Sequence, residues 1–129
     1  MARSLPLLDA VQRREFDSPP KFTTPQRAFF FSLPEWAEHV LQTMTAPHMR
    51  GGFILQLGYF KASGRFFSVE RFVAADRAYV QHRYALGEAE WSRYGRVASF
   101  RHRALLLHHF GVVSFEEVQP QVLQQVTHF

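Results

Sequence analysis

Asp76 and the histidines His102, His108 and His109 are the side chains whose chemistry could reach beyond packing, and their spacing closes most routes to it. His108 and His109 are adjacent, so on a helix their rings diverge by about 100° and cannot share one metal ion. His102 and His109 fall two turns apart, too far for simple chelation, and no His pair has the fourfold spacing of a zinc helix with an intervening Glu. Asp76 stands on an otherwise apolar stripe, where a carboxylate is ordinarily paired with an Arg, a His or a backbone amide; catalysis is the lesser reading. Glu35, Glu70, Glu116 and Glu117 lie near expected helix starts, where capping and the helix dipole account for them. No Gly-rich loop leads into Lys-Ser or Lys-Thr, and no Ser sits in a nucleophile motif. The chain has no Cys, which removes disulfides, thiol nucleophiles and thiolate metal sites and fits a reducing cytoplasm. The expectation is therefore a protein segment without catalysis, cofactor, metal or small-molecule substrate.

What remains is binding through charge. The 129 residues carry a formal net charge of +4, and its placement is uneven. Cations and acids balance from Met1 to Met49. Between Arg50 and His109 there are ten cations (Arg50, Lys61, Arg65, Arg71, Arg77, Arg83, Arg93, Arg96, Arg101 and Arg103) against four acids. The remainder carries only Glu116 and Glu117. Thirteen of the fifteen basic residues are Arg, whose planar fork suits phosphate and guanine edges. The competing explanation is a set of solvated helix faces and helix-end bonds.

These cations need elements to hold them. Hydrophobic residues make up 47% of the chain and Phe occurs fourteen times, enough for one packed core. There is no run of eighteen apolar residues and no secretory-type start, so no membrane partner is expected. A first helix is read over 5–16, followed by the extended connector Asp17-Ser18-Pro19-Pro20. Thr24-Pro25 reads as an N-cap with Pro at the first helical position, opening a short aromatic helix. Ser32 and Glu35 have capping-box spacing for a helix over about 33–44, with Trp36, Val40 and Met44 turned to the core. Pro47 starts a helix that Gly64 ends; Gly51 and Gly52 within it imply a close helix crossing or backbone near a partner. Ser68 reads as the cap of an amphipathic helix with Val69, Phe72, Val73, Asp76, Tyr79 and Val80 on one face, ended by Gly87. A short helix over 88–94 follows. Ser99 then caps a helix whose first turn holds Arg101 and His102 and whose Leu105-Leu106-Leu107 cluster is core. Ser114 and Glu117 start a last helix. Strand signals are nearly absent. The expected fold is all-α: a compact cluster of six or seven short helices in one domain. Residues 1–23 form an N-terminal helix and connector, 24–113 the core, and 114–129 a C-terminal helix leading into a longer protein. The helix, Gly87 turn and helix arrangement also suggests a variant helix-turn-helix, although Arg83 stands where that motif usually has a small residue.

Three segments carry a family resemblance. The first is Phe16-Asp17-Ser18-Pro19-Pro20 with Gln26-Arg27-Ala28-Phe29-Phe30 and Leu33-Pro34. The second, and most specific, is Met49-Arg50-Gly51-Gly52-Phe53-Ile54-Leu55-Gln56-Leu57-Gly58-Tyr59-Phe60-Lys61, continuing to Gly64-Arg65-Phe66-Phe67. The third runs from Asp76 with Tyr79-Val80 through Trp91, Tyr94, Arg101-His102-Arg103 and Phe110-Gly111 to Phe115. In this order they resemble the amino-terminal domain of the large replicative transposases of class II transposons, the Tn-three family, a region often catalogued only as a domain of unknown function. Many relatives have Asn-Arg-Leu-Gly-Phe where this chain has Met49-Arg50-Gly51-Gly52-Phe53. The resemblance implies a helical region that helps recognise the terminal inverted repeats. The catalytic RNase H-like domain of such proteins has no counterpart in these residues.

Cations displace counterions from duplex DNA, and a helix start offers backbone amides to a phosphate. Arg101, His102 and Arg103, with Arg93 and Arg96 just upstream, are the expected contact surface. Arg50, Lys61 and Arg65, around the Gly-containing helix, are a second candidate. The expected partners are double-stranded DNA at transposon ends, the rest of a transposase chain, and a second copy in a homodimer. The alternative is a protein-interaction or regulatory module of a transposase that does not itself contact DNA.

Overall fold

A computed structural model describes residues 18–111. The helices expected over 5–16 and after Ser114 lie outside the described residues. Within them are five α-helices, two single 3-10 turns and no strand. This is the expected all-α class.

The helices are α1 (Thr24–Phe30), α2 (Glu35–Gln42), α3 (Pro47–Ser63), α4 (Ala74–Arg83) and α5 (Arg96–His109). A 3-10 turn, Val69–Arg71, precedes α4, and a second, Trp91–Arg93, precedes α5. The organising element is α3. Every residue from Gly51 to Tyr59 on it is buried, so it is covered on all sides rather than along one stripe. Its neighbours α1, α4, α5 and the Trp91–Arg93 turn all pack on it. As the sequence predicts, Pro47 opens α3, and Gly64 ends it at φ 72° in the left-handed region.

The glycines of α3 act by close approach. A Cβ built on Gly51 would stand 2.5 Å from the Trp91 ring, and one on Gly52 2.2 Å from the Tyr94 ring. Gly58 makes the same room for Phe31, at 2.2 Å. The bodies lying on the helix backbone are thus aromatic rings, two of them delivered by the turn before α5. Tyr59 continues this aromatic core, with Phe22, Phe31, Phe67 and Phe72 around it.

Several local expectations are corrected. The cap of α1 is Thr23, not Thr24. Its hydroxyl accepts from the Gln26 amide, while the Gln26 side chain accepts from the Thr23 amide. The Ser32–Glu35 capping box does not form, because Ser32 Oγ donates to the Ala28 carbonyl at 2.6 Å and Pro34 occupies the N-cap of α2. Ala37 and Leu41 are the buried positions of α2; Trp36, Val40 and Met44 pack half-buried at the core's edge. The helix expected from Ser68 breaks into the Val69–Arg71 turn, an extended Phe72 and then α4. The physical reason is tertiary: the Tyr59 hydroxyl accepts the Val73 amide, and Phe72 reaches into the core between Tyr59, Trp91 and Tyr94.

Helix α4 stops at Arg83, before Gly87, and residues 88–94 hold a 3-10 turn instead of a helix. Helix α5 begins at Arg96 with Gly95 as its N-cap, so Ser99 lies inside it and Arg101 to Arg103 fall beyond the first turn. Of Leu105, Leu106 and Leu107, only Leu106 is buried. The variant helix-turn-helix is not formed. Residues 84–95 separate α4 from α5, where that motif joins its helices through three or four residues.

Candidate nucleic-acid interface

The buried polar side chains serve structure. Asp76 accepts from Arg27 Nε and from the Tyr59 hydroxyl, both at 2.7 Å, which is the paired state expected of a lone buried acid. Burial, then the hydrogen bond to Asp76, pushes the Tyr59 hydroxyl far up, so it stays a donor. Gln56 clamps the chain after α3 by exchanging two hydrogen bonds with the Phe67 backbone, at 2.7 and 3.1 Å. His102 is 1% exposed and lies 2.9 Å through Nδ1 from the Tyr94 hydroxyl, with Phe53 edge-on to its ring. Burial, and then the Arg101 charge, lower its pKa to about 4, leaving a neutral imidazole. His102, expected on the DNA-facing surface, is therefore a core residue. The missed signal is its fourfold spacing from Leu106, which puts both on the inner face of α5.

The expected cations divide into two groups. Arg50 and Lys61 are engaged with helix ends. Arg50 Nε donates to the Met44 carbonyl at 3.0 Å. Lys61 Nζ donates to the carbonyls of Phe29 and Ser32, and burial followed by the charge of Arg83 lowers its pKa. Arg65 is the third residue expected with them. It lies over Phe67, while Arg103 lies over the neighbouring Phe66, at 5.4 and 5.6 Å from the ring centroids. Arg83 is similarly tied to the Ala28 carbonyl, Ser32 and Tyr79.

Arg96, Arg101 and Arg103 are exposed on α5, and Arg93 is exposed in the turn before it, 3.4 Å from Glu90. Helix α5 carries no Asp or Glu along its 14 residues. At about 100° per residue its inner face is centred on His102 and Leu106. The outer face then holds Val97, Phe100 and Ala104 in a line, with Arg96 and Arg103 on one flank and Arg101 and His108 on the other. Val97 is 72% and Phe100 70% exposed, an outward placement that sequence periodicity did not single out. Beside this face runs an open groove of about 770 Å³ between α5 and the 66–70 segment. Val97 and Phe100 stand with Arg96 and Arg103 on its α5 wall, and Ser68 and Glu70 on the other. No group of three or more His, Asp or Glu able to hold a metal occurs among the described residues. None of the described helices is long and apolar enough to cross a membrane.

Fold and site together define an all-α domain built on a buried central helix, with an acid-free cationic helix on its outside. The chain belongs to the family described as a domain of unknown function, DUF4158, whose model matches residues 7–128. No curated protein and no solved structure matches it.

Proposed function

We propose that this chain is the DNA-binding amino-terminal domain of a Tn-three family transposase, which helps recognise the terminal inverted repeats and leaves strand chemistry to the rest of the protein. The observation that carries the reading is the outer face of α5, where Arg96, Arg101 and Arg103 are exposed on a helix without a carboxylate. A helix about 10–12 Å across fits the major groove, about 12 Å wide, and flanking guanidinium groups then meet the phosphate walls. Arg65 and Arg93 extend the cationic border. Arg50 and Lys61 hold the scaffold, and His102 positions α5 from inside. The partners in this reading are duplex DNA at transposon ends, the remainder of the transposase, and a second copy of the domain. The setting is the bacterial cytoplasm, at the nucleoid when bound.

The test is a mobility-shift titration over a salt series with duplex bearing the element's own ends. Binding is expected to weaken steeply with salt, and to weaken further when Arg96, Arg101 and Arg103 are replaced by Ala. No shift even at low ionic strength favours the other reading, an assembly or regulatory module. The exposed Val97 and Phe100 would then be its protein-facing surface.

A further inference from the structure

The arrangement on α5 goes beyond general attraction to phosphate. Phosphate contacts need only the guanidinium groups, which leaves unexplained why two of the most exposed large apolar side chains of the described residues sit between them. Val97, Phe100 and Ala104 follow one another at three and four residues, so they form a ridge along the helix with Arg on both sides. From Val97 to Ala104 the helix rises about 10 Å, the height of about three base pairs at 3.4 Å each. When the flanking Arg residues reach the two phosphate walls, this ridge is what meets the base edges. In the major groove the apolar feature of a base pair is the C5-methyl group of thymine.

We propose that the Val97–Phe100–Ala104 ridge reads thymine methyl groups over about three consecutive base pairs, which makes the domain selective for A·T-rich major groove. The inference rests on α5 lying in the major groove, as in the function proposed above. The ridge contributes selectivity through apolar contact, and Arg96, Arg101 and Arg103 contribute affinity through charge. Val97 and Phe100 can be changed without touching the core, because both are about 70% exposed.

The experiment compares the full chain on two 24-base-pair hairpin duplexes by fluorescence anisotropy at low ionic strength. One is alternating adenine–thymine; the other has deoxyuridine in place of every thymidine, so it lacks only the methyl groups. The thymine duplex is expected to bind at least about four-fold tighter, the worth of a single buried methyl. The double variant Val97→Gln with Phe100→Gln, its helical content checked by circular dichroism, is expected to bind both duplexes equally while keeping its salt dependence. Salt-dependent binding by the unaltered chain with equal affinity for the two duplexes overturns the ridge inference and leaves DNA binding standing. A double variant that retains the thymine preference overturns the assignment to these residues. Absence of binding to either duplex overturns both the inference and the function beneath it.

Discussion

Acidification from neutral pH toward pH 4 is expected to remove a definable part of this fold's stability through His102. The folded imidazole has a pKa of about 4, whereas the ordinary value is 6.5. In the unfolded chain His102 takes up its proton near the ordinary value, so between about pH 6.5 and pH 4 the unfolded state binds more protons than the native one. Stability therefore rises with pH through that window and is lost as pH falls through it. At about 1.4 kcal/mol per unit, the interval corresponds to about 3 kcal/mol. The structural cause is specific. His102 is enclosed by Phe53 and Tyr94 on the inner face of α5, and the adjacent Arg101 opposes a second positive charge. The assay is urea unfolding at a series of pH values for the natural chain and for His102→Leu, which keeps an apolar body in the site. The difference between the two curves isolates the histidine from the carboxylates. It should change by about 3 kcal/mol across the window, with the natural chain losing more stability on acidification. Equal losses in the two proteins, or a His102 titration midpoint at 6.5 by NMR, would refute the reasoning.

Two further outcomes follow from the packing. Gly52→Ala puts a Cβ 2.2 Å from the Tyr94 ring, which is braced against Phe72 and His102. Overpacking costs about 1–3 kcal/mol, and a Cβ within 2.5 Å of three atoms of a braced ring belongs to the upper part of that range, above the roughly 1 kcal/mol that Ala gains over Gly in a helix, so urea unfolding should show net destabilisation. Asp76→Ala leaves Arg27 and the buried Tyr59 hydroxyl without their shared acceptor and should lower stability by about 3 kcal/mol in the same measurement. A change under 1 kcal/mol would show that the Arg27–Asp76–Tyr59 cluster does not brace α1 and α4 against α3.

The elements legible in the sequence are those whose signals are local. Pro47 and Gly64 bound α3 because Pro suits a first helical turn and Gly the left-handed terminus, whatever surrounds them. The pairing of Asp76 was legible as well, since an ionised carboxylate on an apolar stripe must find a partner. The errors arise where a distant side chain overrides the local signal. Ser68 has the right spacing to cap a helix, but the Tyr59 hydroxyl takes the Val73 amide and the helix starts at Ala74. Ser99 looked like a cap, yet the chain leaves the Trp91–Arg93 turn in position to begin α5 at Arg96. That shift matters for the site, because it moves Arg101 out of the first turn. The concentration of Arg was visible in the sequence. The inward turn of His102 was legible only through its fourfold spacing from Leu106, and the outward turn of Phe100 was not, because it depends on the rotation of α5 about α3.

The most direct test of α5 as a DNA-contacting helix is the slope of log binding constant against log salt concentration for the natural chain and for Arg96→Ala, Arg101→Ala and Arg103→Ala singly. Each replacement is expected to reduce the magnitude of the slope by about 0.9, one phosphate contact, while Lys61→Ala leaves it unchanged. Slopes that stay the same in all three Arg variants would contradict the placement of DNA on this helix.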